Sequence, residues 1–157
     1  MDELTIRLAT LKDLKALYSF EQQLIETERH YDVTIQTGLI YYYNLKELIS
    51  SRHAQIFVAE LKNTLIACGY AYIADAKPHL KHQKYASLGF MYVVPTFRGR
   101  GINHLIIDKA TEWCRANSIT ELRLDVYAEN RSAIKAYEKA GFCKHLIEMR
   151  LNIHNPK

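Results

Sequence analysis

The chain is short of cysteine, has no long apolar run, and carries no acidic surplus. Its three cysteines, Cys68, Cys114 and Cys143, are an odd number with neither zinc-ligand nor redox spacing, so free thiols in a reducing compartment are expected, and with them a cytoplasmic location. The longest apolar run, Leu65 to Ala74, is too short to cross a bilayer and reads as a buried strand, so no membrane partner is expected. Met1 to Arg7 carries acids and no apolar stretch, unlike a signal peptide. No repeat, low-complexity segment or linker occurs, and residues 1–157 read as one domain. Neither GxxxxGK followed by Ser or Thr nor GxGxxG is present, which disfavours a P-loop NTPase and a Rossmann enzyme.

What is present is an ordinary soluble composition, 48% hydrophobic and 24% charged, with a formal net charge of +4. That charge admits an anionic cofactor as readily as an acidic or nucleic-acid partner. The basic loop Lys77–Lys84 is where such a partner would bind, and nucleic acid is the disfavoured reading. His79 and His82 in that loop lack a third or fourth ligand at metal spacing, so no metal is expected. Cys114 and Cys143 read as core residues.

Leu4, Ile6 and Leu8 alternate as a short first strand. Thr10 to Asp13 has capping-box spacing ahead of the helical stripe Leu14, Leu17, Tyr18, Leu24 and Ile25. A second helix is predicted over about Gly38 to Ser50. Strands are predicted at Gln55–Glu60, Leu65–Ala74 and Ser87–Val94, the first two as a hairpin. A helix follows the glycine turn through Ile102, Leu105, Ile106, Ala110 and Trp113. Glu121–Tyr127 reads as a strand, Arg131–Ala140 as a helix capped by Asn130 and ended by Gly141, and Ile147–Ile153 as a half-buried last strand. The order β-α-α-β-β-β-α-β-α-β implies an α/β fold, one mixed sheet flanked by helices.

Two stretches carry chemistry. In Val93-Val94-Pro95-Thr96-Phe97-Arg98-Gly99-Arg100-Gly101-Ile102-Asn103-His104 a strand ends and a helix begins. A first helical turn leaves backbone N–H groups unpaired and carries partial positive charge. Gly99 and Gly101 let the backbone gather those donors, and Arg98 and Arg100 add cationic character, which suits a pyrophosphate. Taken alone, a glycine turn with solvated arginines is an equal reading. Further on, Asn130, Ala133 and Tyr137 share one helix face before Gly141-Phe142. Alone, that pattern reads better as a capped helix with a core tyrosine.

Together, Val93-x-Pro95-x-x-Arg98-x-x-Gly101 and Asn130-x-x-Ala133-x-x-x-Tyr137-x-x-x-Gly141-Phe142 resemble the two signature segments of the GNAT N-acetyltransferase superfamily. The resemblance covers nearly the whole chain. It implies a mixed, mostly antiparallel sheet and acetyl-CoA as cosubstrate, without a metal. The backbone of Met91, Tyr92 and Val93 would pair with pantetheine. Arg98, Gly99, Arg100, Gly101, Ile102, Asn103 and His104 would hold the pyrophosphate, and Asn130 and Ala133 would line the pantetheine arm. The family pattern has Gly or Ala where this chain has Asn103, whose side chain could crowd the phosphates or donate to them.

The implied reaction is direct attack of an amine on the thioester, with an oxyanion donor near Met91–Val93 and Tyr137 at the leaving sulfur. Asp125 matches the acidic base position of the ribosomal-protein N-terminal acetyltransferases, with pairing to Arg123, a lysine or water at a strand end as an equal competing role. Glu60 and Tyr127 are reserves. The acceptor, a small amine or a protein N-terminus or lysine, would lie against the first two helices and the loop before Ser87; Glu26, Glu28, Asp32, Tyr31 and Tyr41–Tyr43 suit a cation, with a solvated helix face and core tyrosines as the competing reading. A non-catalytic acyl-CoA-binding module of the same fold is the alternative. An edge strand near the C-terminus leaves room for a homodimer.

Overall fold

A computed structural model describes residues 4–155. Five strands, β1 (Leu4–Leu8), β2 (Ala54–Leu61), β3 (Thr64–Asp75), β4 (Lys84–Val93) and β5 (Leu122–Arg123), form one sheet in the order β1-β2-β3-β4-β5. The first four are antiparallel, and β5 joins β4 in parallel. Helices α1 (Leu14–Glu28) and α2 (Leu45–Ser50) cover one face, α3 (Ile102–Ala116) the other, and α4 (Arg131–Lys139) follows β5. This is the mixed, mostly antiparallel α/β architecture expected from the sequence.

Strand alternation sends β2 residues to both faces. Ile56 and Val58 pack with Leu17, Phe20 and Leu45 on the α1–α2 side, while Phe57 and Ala59 pack with Ile102, Ile106 and Ala110 on the α3 side. In β4 the alternation breaks. Leu88 lies on the α3 side, yet Phe90, two residues on, lies on the α1 side with Tyr92. The cause is a bulge: Phe90 takes φ +50°, and the register with β3 shifts between Cys68 and Tyr70. Gly69 lies in that shift, where a Cβ would stand 2.4 Å from Met91 Sδ. The bulge sends the residues after it to the opposite faces, while the ladder with β3 resumes and runs to Val93.

Four local expectations fail. The second helix begins at Leu45, not near Gly38. Gly38 is left-handed at φ +82°, the Tyr42 and Tyr43 N–H groups donate to Glu21 Oε1 at 2.8 and 2.9 Å, and Asn44 caps from outside by accepting from Glu47 N–H. The strand after α3 is two residues long because only Ala86 and Ser87 of β4 pair with it. The last strand does not form: Ile147 and Met149 are 85% and 90% exposed and the segment has no sheet partner. Cys143 is likewise exposed, whereas Cys68 and Cys114 are buried. Gly141, at φ +99°, has turned the chain out of α4 just before Cys143.

At the opposite edge the capping box at Thr10 is real. Thr10 N–H donates to Asp13 Oδ2 at 2.7 Å, and Arg7 clamps the same carboxylate at 2.8 and 2.9 Å while reaching Glu60 at 2.8 Å. The Arg7 guanidinium, aided by the Thr10 amide, holds Asp13 below the usual carboxylate range. Such a depressed group contributes stability that is complete above its unfolded value near pH 4 and is lost as the pH falls through its folded value. Asp13→Asn should therefore cost about 2–3 kcal/mol at pH 7 and give a shallower acid-side decline in denaturant-melt stability. An unchanged acid limb would contradict this linkage.

Candidate active site

The site begins where β4 and β5 part. Their ladder covers Ala86–Leu122 and Ser87–Arg123 only, so from Leu88 onward the side of β4 that faces β5 has no strand partner. Met91 and Val93 are half-buried there, and the Tyr92 side chain is buried, its hydroxyl donating to Gln23 Oε1. The Tyr92 main chain is paired with Cys68 of β3 and its phenol serves the core, so by strand alternation the main chains that face the gap are those of Met91 and Val93. The Val93 carbonyl already accepts from Arg98 Nε at 2.9 Å.

Beyond Val93 a short 3-10 turn, Pro95–Phe97, leads into Gly99 and Gly101, both left-handed at φ +74° and +77°. A Cβ at either would meet nothing within 4 Å, so these glycines are required by backbone conformation and not by crowding. Gly101 stands at the N-cap of α3 and has no side chain to cap it. Among the described residues, no N–H from Gly99 to Asn103 has a hydrogen-bond partner; the first amide to find one is His104, to Gly101 O at 3.1 Å. The helix thus presents a run of open donors at its positive end. Arg98 is committed to Val93 and lies over the Tyr92 ring, whereas Arg100 lies over Phe97 and is exposed. Asn103 is half-buried in the first turn, and His104 faces Asp108 at 3.7 Å.

On the other wall, Asn130 Oδ1 caps α4 by accepting from Ala133 N–H at 3.3 Å. Both roles read for Asn130 are compatible, because its Nδ2 remains free for a ligand. Tyr137 packs against the α3-side core and edge-on to Phe142 at 5.9 Å. Burial pushes its phenol up to about 12, and the charge of Glu28 adds to the effect. Tyr137 is therefore a permanently protonated donor in the physiological range.

The proposed bases separate. Glu60 lies on β2, bound to Arg7, with two strands, β3 and β4, between it and the gap. Asp125 is exposed and has no ion pair among the described residues. The competing pairing with Arg123 is not made, since Arg123 turns to Glu121 at 3.3 Å and lies over Tyr85, while the exposed carboxylate stays open to water. Its charge reaches Tyr70, whose phenol is pushed up to about 12 by burial and by Tyr72 and Asp125. Tyr127 stacks on Tyr31 at 5.6 Å.

Sequence reasoning missed how much α1 builds. Glu21, fully buried, pins the Tyr42–Tyr43 backbone and leaves its Oε2 without a partner. Gln22 and Arg29 hold the same loop through the carbonyls of Ile40, Gln36 and Gly38. Tyr43, so fixed, packs against Tyr70 and Phe90. A cavity of about 400 Å³ opens beside Tyr43, Tyr70, Tyr72 and His53. Glu28, at the end of α1, faces the Tyr42 phenol; burial raises its carboxyl, and no cation pairs with it among the described residues. The seven-residue spacing of Glu21 and Glu28 on one helix face was the available signal.

Comparison with known proteins bears on the same elements. Residues 12–142 match the model of the acetyltransferase (GNAT) family. An uncharacterized N-acetyltransferase of Methanocaldococcus jannaschii is 29% identical over 113 residues, 65% of this chain; the aligned part is 48% of that relative, so the chain spans about half its length. The BH1408 protein of Bacillus halodurans, crystallised as a tetramutant, superposes with TM-score 0.85 at 21% identity, covering 95% of this chain and 99% of that one. A predicted acetyltransferase of Clostridium acetobutylicum, solved with acetyl-CoA, gives TM-score 0.73 at 21% identity over 96% and 97%. The two structures establish a shared fold, and the family match takes in the glycine turn, the Asn130–Phe142 segment and most of the sheet. The chain belongs to the acetyltransferase (GNAT) family.

Proposed function

We propose that this chain is an acetyl-CoA-dependent N-acetyltransferase, one domain that moves an acetyl group to a primary amine by direct attack in a ternary complex. One observation carries the reading: the gap between β4 and β5 has unpartnered main-chain donors at Gly99–Asn103 at one end and a half-buried, protonated Tyr137 packed beside it. The Clostridium relative solved with acetyl-CoA supports that cosubstrate. In this reading the open amides take the pyrophosphate, together with the Arg100 and His104 side chains. The freed edge of β4 from Met91 to Val93 takes pantetheine and supplies the oxyanion donor. Asn130 Nδ2 and the small Ala133 line the arm, and Tyr137 meets the sulfur.

A thiol of pKa about 8.5 opposite a phenol near 12 makes full proton transfer uphill by on the order of 5 kcal/mol. Tyr137 therefore acts as a hydrogen-bond donor to the developing thiolate, and the solvent completes the transfer. The acceptor enters as an ammonium and must lose a proton before attack. Asp125, exposed and close in charge to Tyr70, is assigned as the base. Glu28, unpaired and flanked by Tyr42, is assigned to hold the incoming cation before it is deprotonated.

Four variants test these roles by steady-state kinetics with acetyl-CoA and a panel of amines, following free thiol. Tyr137→Phe should lower kcat about tenfold to a hundredfold with the coenzyme A Kd little changed; equal losses in both would contradict its place at the sulfur. Gly101→Val forces a β-branched residue into φ +77° and should raise the acetyl-CoA KM at least about tenfold with little effect on the amine KM. Asp125→Asn should lower kcat about a hundredfold and remove the acid limb of the pH profile, whereas Glu28→Gln should act mainly on the amine KM. Coenzyme A binding with no amine-dependent thiol release would favour the non-catalytic module.

A further inference from the structure

The cavity of about 400 Å³ beside Tyr43 shares no residue with the glycine turn or with α4, and its walls are chemically one-sided. Tyr42, Tyr43, Tyr70 and Tyr72 line it, together with Glu47 and His53. The rings are set as a cage. Tyr42 and Tyr43 meet at 89° with centroids 5.9 Å apart, and Tyr43 and Tyr70 at 62° and 5.3 Å. Tyr70 stacks on Tyr72 at 7° and 5.6 Å. Rings at such steep angles surround a space and do not merely wall one side of it. The chain carries a net charge of +4, yet no Lys or Arg lines this cavity, and His53 is its one basic side chain. The Glu47 carboxylate accepts from Asn44 Nδ2 at 3.1 Å and has no ion pair among the described residues.

Tyr70 joins this cavity to the gap. Gly89 lies just beyond Ser87, the last β4 residue paired with β5, and the Tyr70 ring lies across it. A Cβ at position 89 would stand 2.4 Å from Tyr70 Cε1 and 2.9 Å from its hydroxyl oxygen. The missing side chain at Gly89 is what lets a phenol rest over β4 where the gap begins. The charge of Asp125 reaches the same phenol. Tyr42 makes a matching link to Glu28, whose carboxylate accepts from its hydroxyl. The two carboxylates assigned to the reacting amine therefore each adjoin a tyrosine of the cavity wall.

We infer that this cavity is a second cation subsite, in which an alkylammonium group of the acceptor sits among Tyr43, Tyr70 and Tyr72 beside Glu47 while the reacting amine of the same molecule lies across Tyr70 at Asp125. Tyrosine faces attract a cation held within about 6 Å of the ring centroid, and adjoining rings share it. An alkylated nitrogen fits best, because the rings offer few hydrogen-bond acceptors and a bare ammonium would lose more hydration than these walls return. An anion would meet Glu47 and the negative ring faces. A neutral apolar group would cover the Glu47 carboxylate without pairing it. The acceptor is accordingly a molecule with two cationic nitrogens, joined by a chain long enough to cross one phenol. Its reacting end rests on the acetyltransferase reading, whereas the cage does not.

Tetramethylammonium has no N–H to acetylate and so probes the cage alone. Titrated at constant ionic strength into nitrogen-15-labelled protein, it should move the amides of Tyr43, Tyr70 and Tyr72 saturably and leave Gly99 to Asn103 in place. Tyr72→Leu should weaken that binding about threefold to thirtyfold. Glu47→Gln, at an exposed position and able to keep its bond to Asn44, should weaken it at least about twofold. In turnover, a linear diamine trimethylated at one end should exceed the monoamine of equal length at least about tenfold in kcat/KM, and Tyr72→Leu should bring that ratio towards one. If Tyr72→Leu fails to fold, the wild type and Glu47→Gln decide. Shifts that do not saturate or that fall elsewhere, a folded variant that binds as tightly as the wild type, or a wild-type ratio near one would each overturn the subsite. A saturable cage in a protein that acetylates no amine would uphold the subsite and count against the acetyltransferase reading.

Discussion

The site rests on a failure of strand pairing. β4 is bound to β3 along most of its length but to β5 through two residues only, and the bulge at Phe90 turns its end so that Leu88 and Phe90 face opposite sides of the sheet. A continued parallel ladder would consume the main-chain groups of residues 88–93 that face away from β3. With the ladder stopped, those groups and the first-turn amides of α3 form one open polar surface inside an otherwise well-packed fold. Gly99, Arg100 and Gly101 are exposed, so water satisfies their amides until an anion replaces it.

Electrostatics sort the side chains around that surface. Burial keeps Tyr137 and Tyr70 protonated, and so makes them donors and not bases. The carboxylates divide by what already holds them. Asp13 and Glu60 are spent on Arg7, Asp32 on Arg150, and Glu21 on the Tyr42–Tyr43 backbone. Asp125 and Glu28 are left without an ion pair among the described residues, and both lie within charge range of the tyrosines of the cleft. Only such uncommitted groups are available to receive a cationic acceptor or its proton.

Much of this was legible in the sequence. Residues 55–60, 65–74 and 131–140 alternate or stripe strongly enough to specify their elements, and Gly99 and Gly101 marked the left-handed turn before α3. What was hidden depends on distant partners. The stretch before Leu45 has helical spacing, but a carboxylate on α1 takes its amides. Residues 124–127 alternate like a strand, yet the ladder with the neighbouring β4 ends at Ser87. Ile147–Ile153 alternates too, and among the described residues no strand edge receives it. Strand periodicity reports a face to be covered, not the identity of the cover.

The central claim is that the open amides between Gly99 and Asn103 grip a diphosphate. Titrating uniformly nitrogen-15-labelled protein with coenzyme A and following backbone amide resonances tests it most directly. The account predicts the largest shifts at Gly99 to Asn103, continuing along Met91–Val93 and Asn130. It is contradicted if those resonances stay in place while the Lys77–Lys84 loop moves, or if nothing moves at saturating ligand.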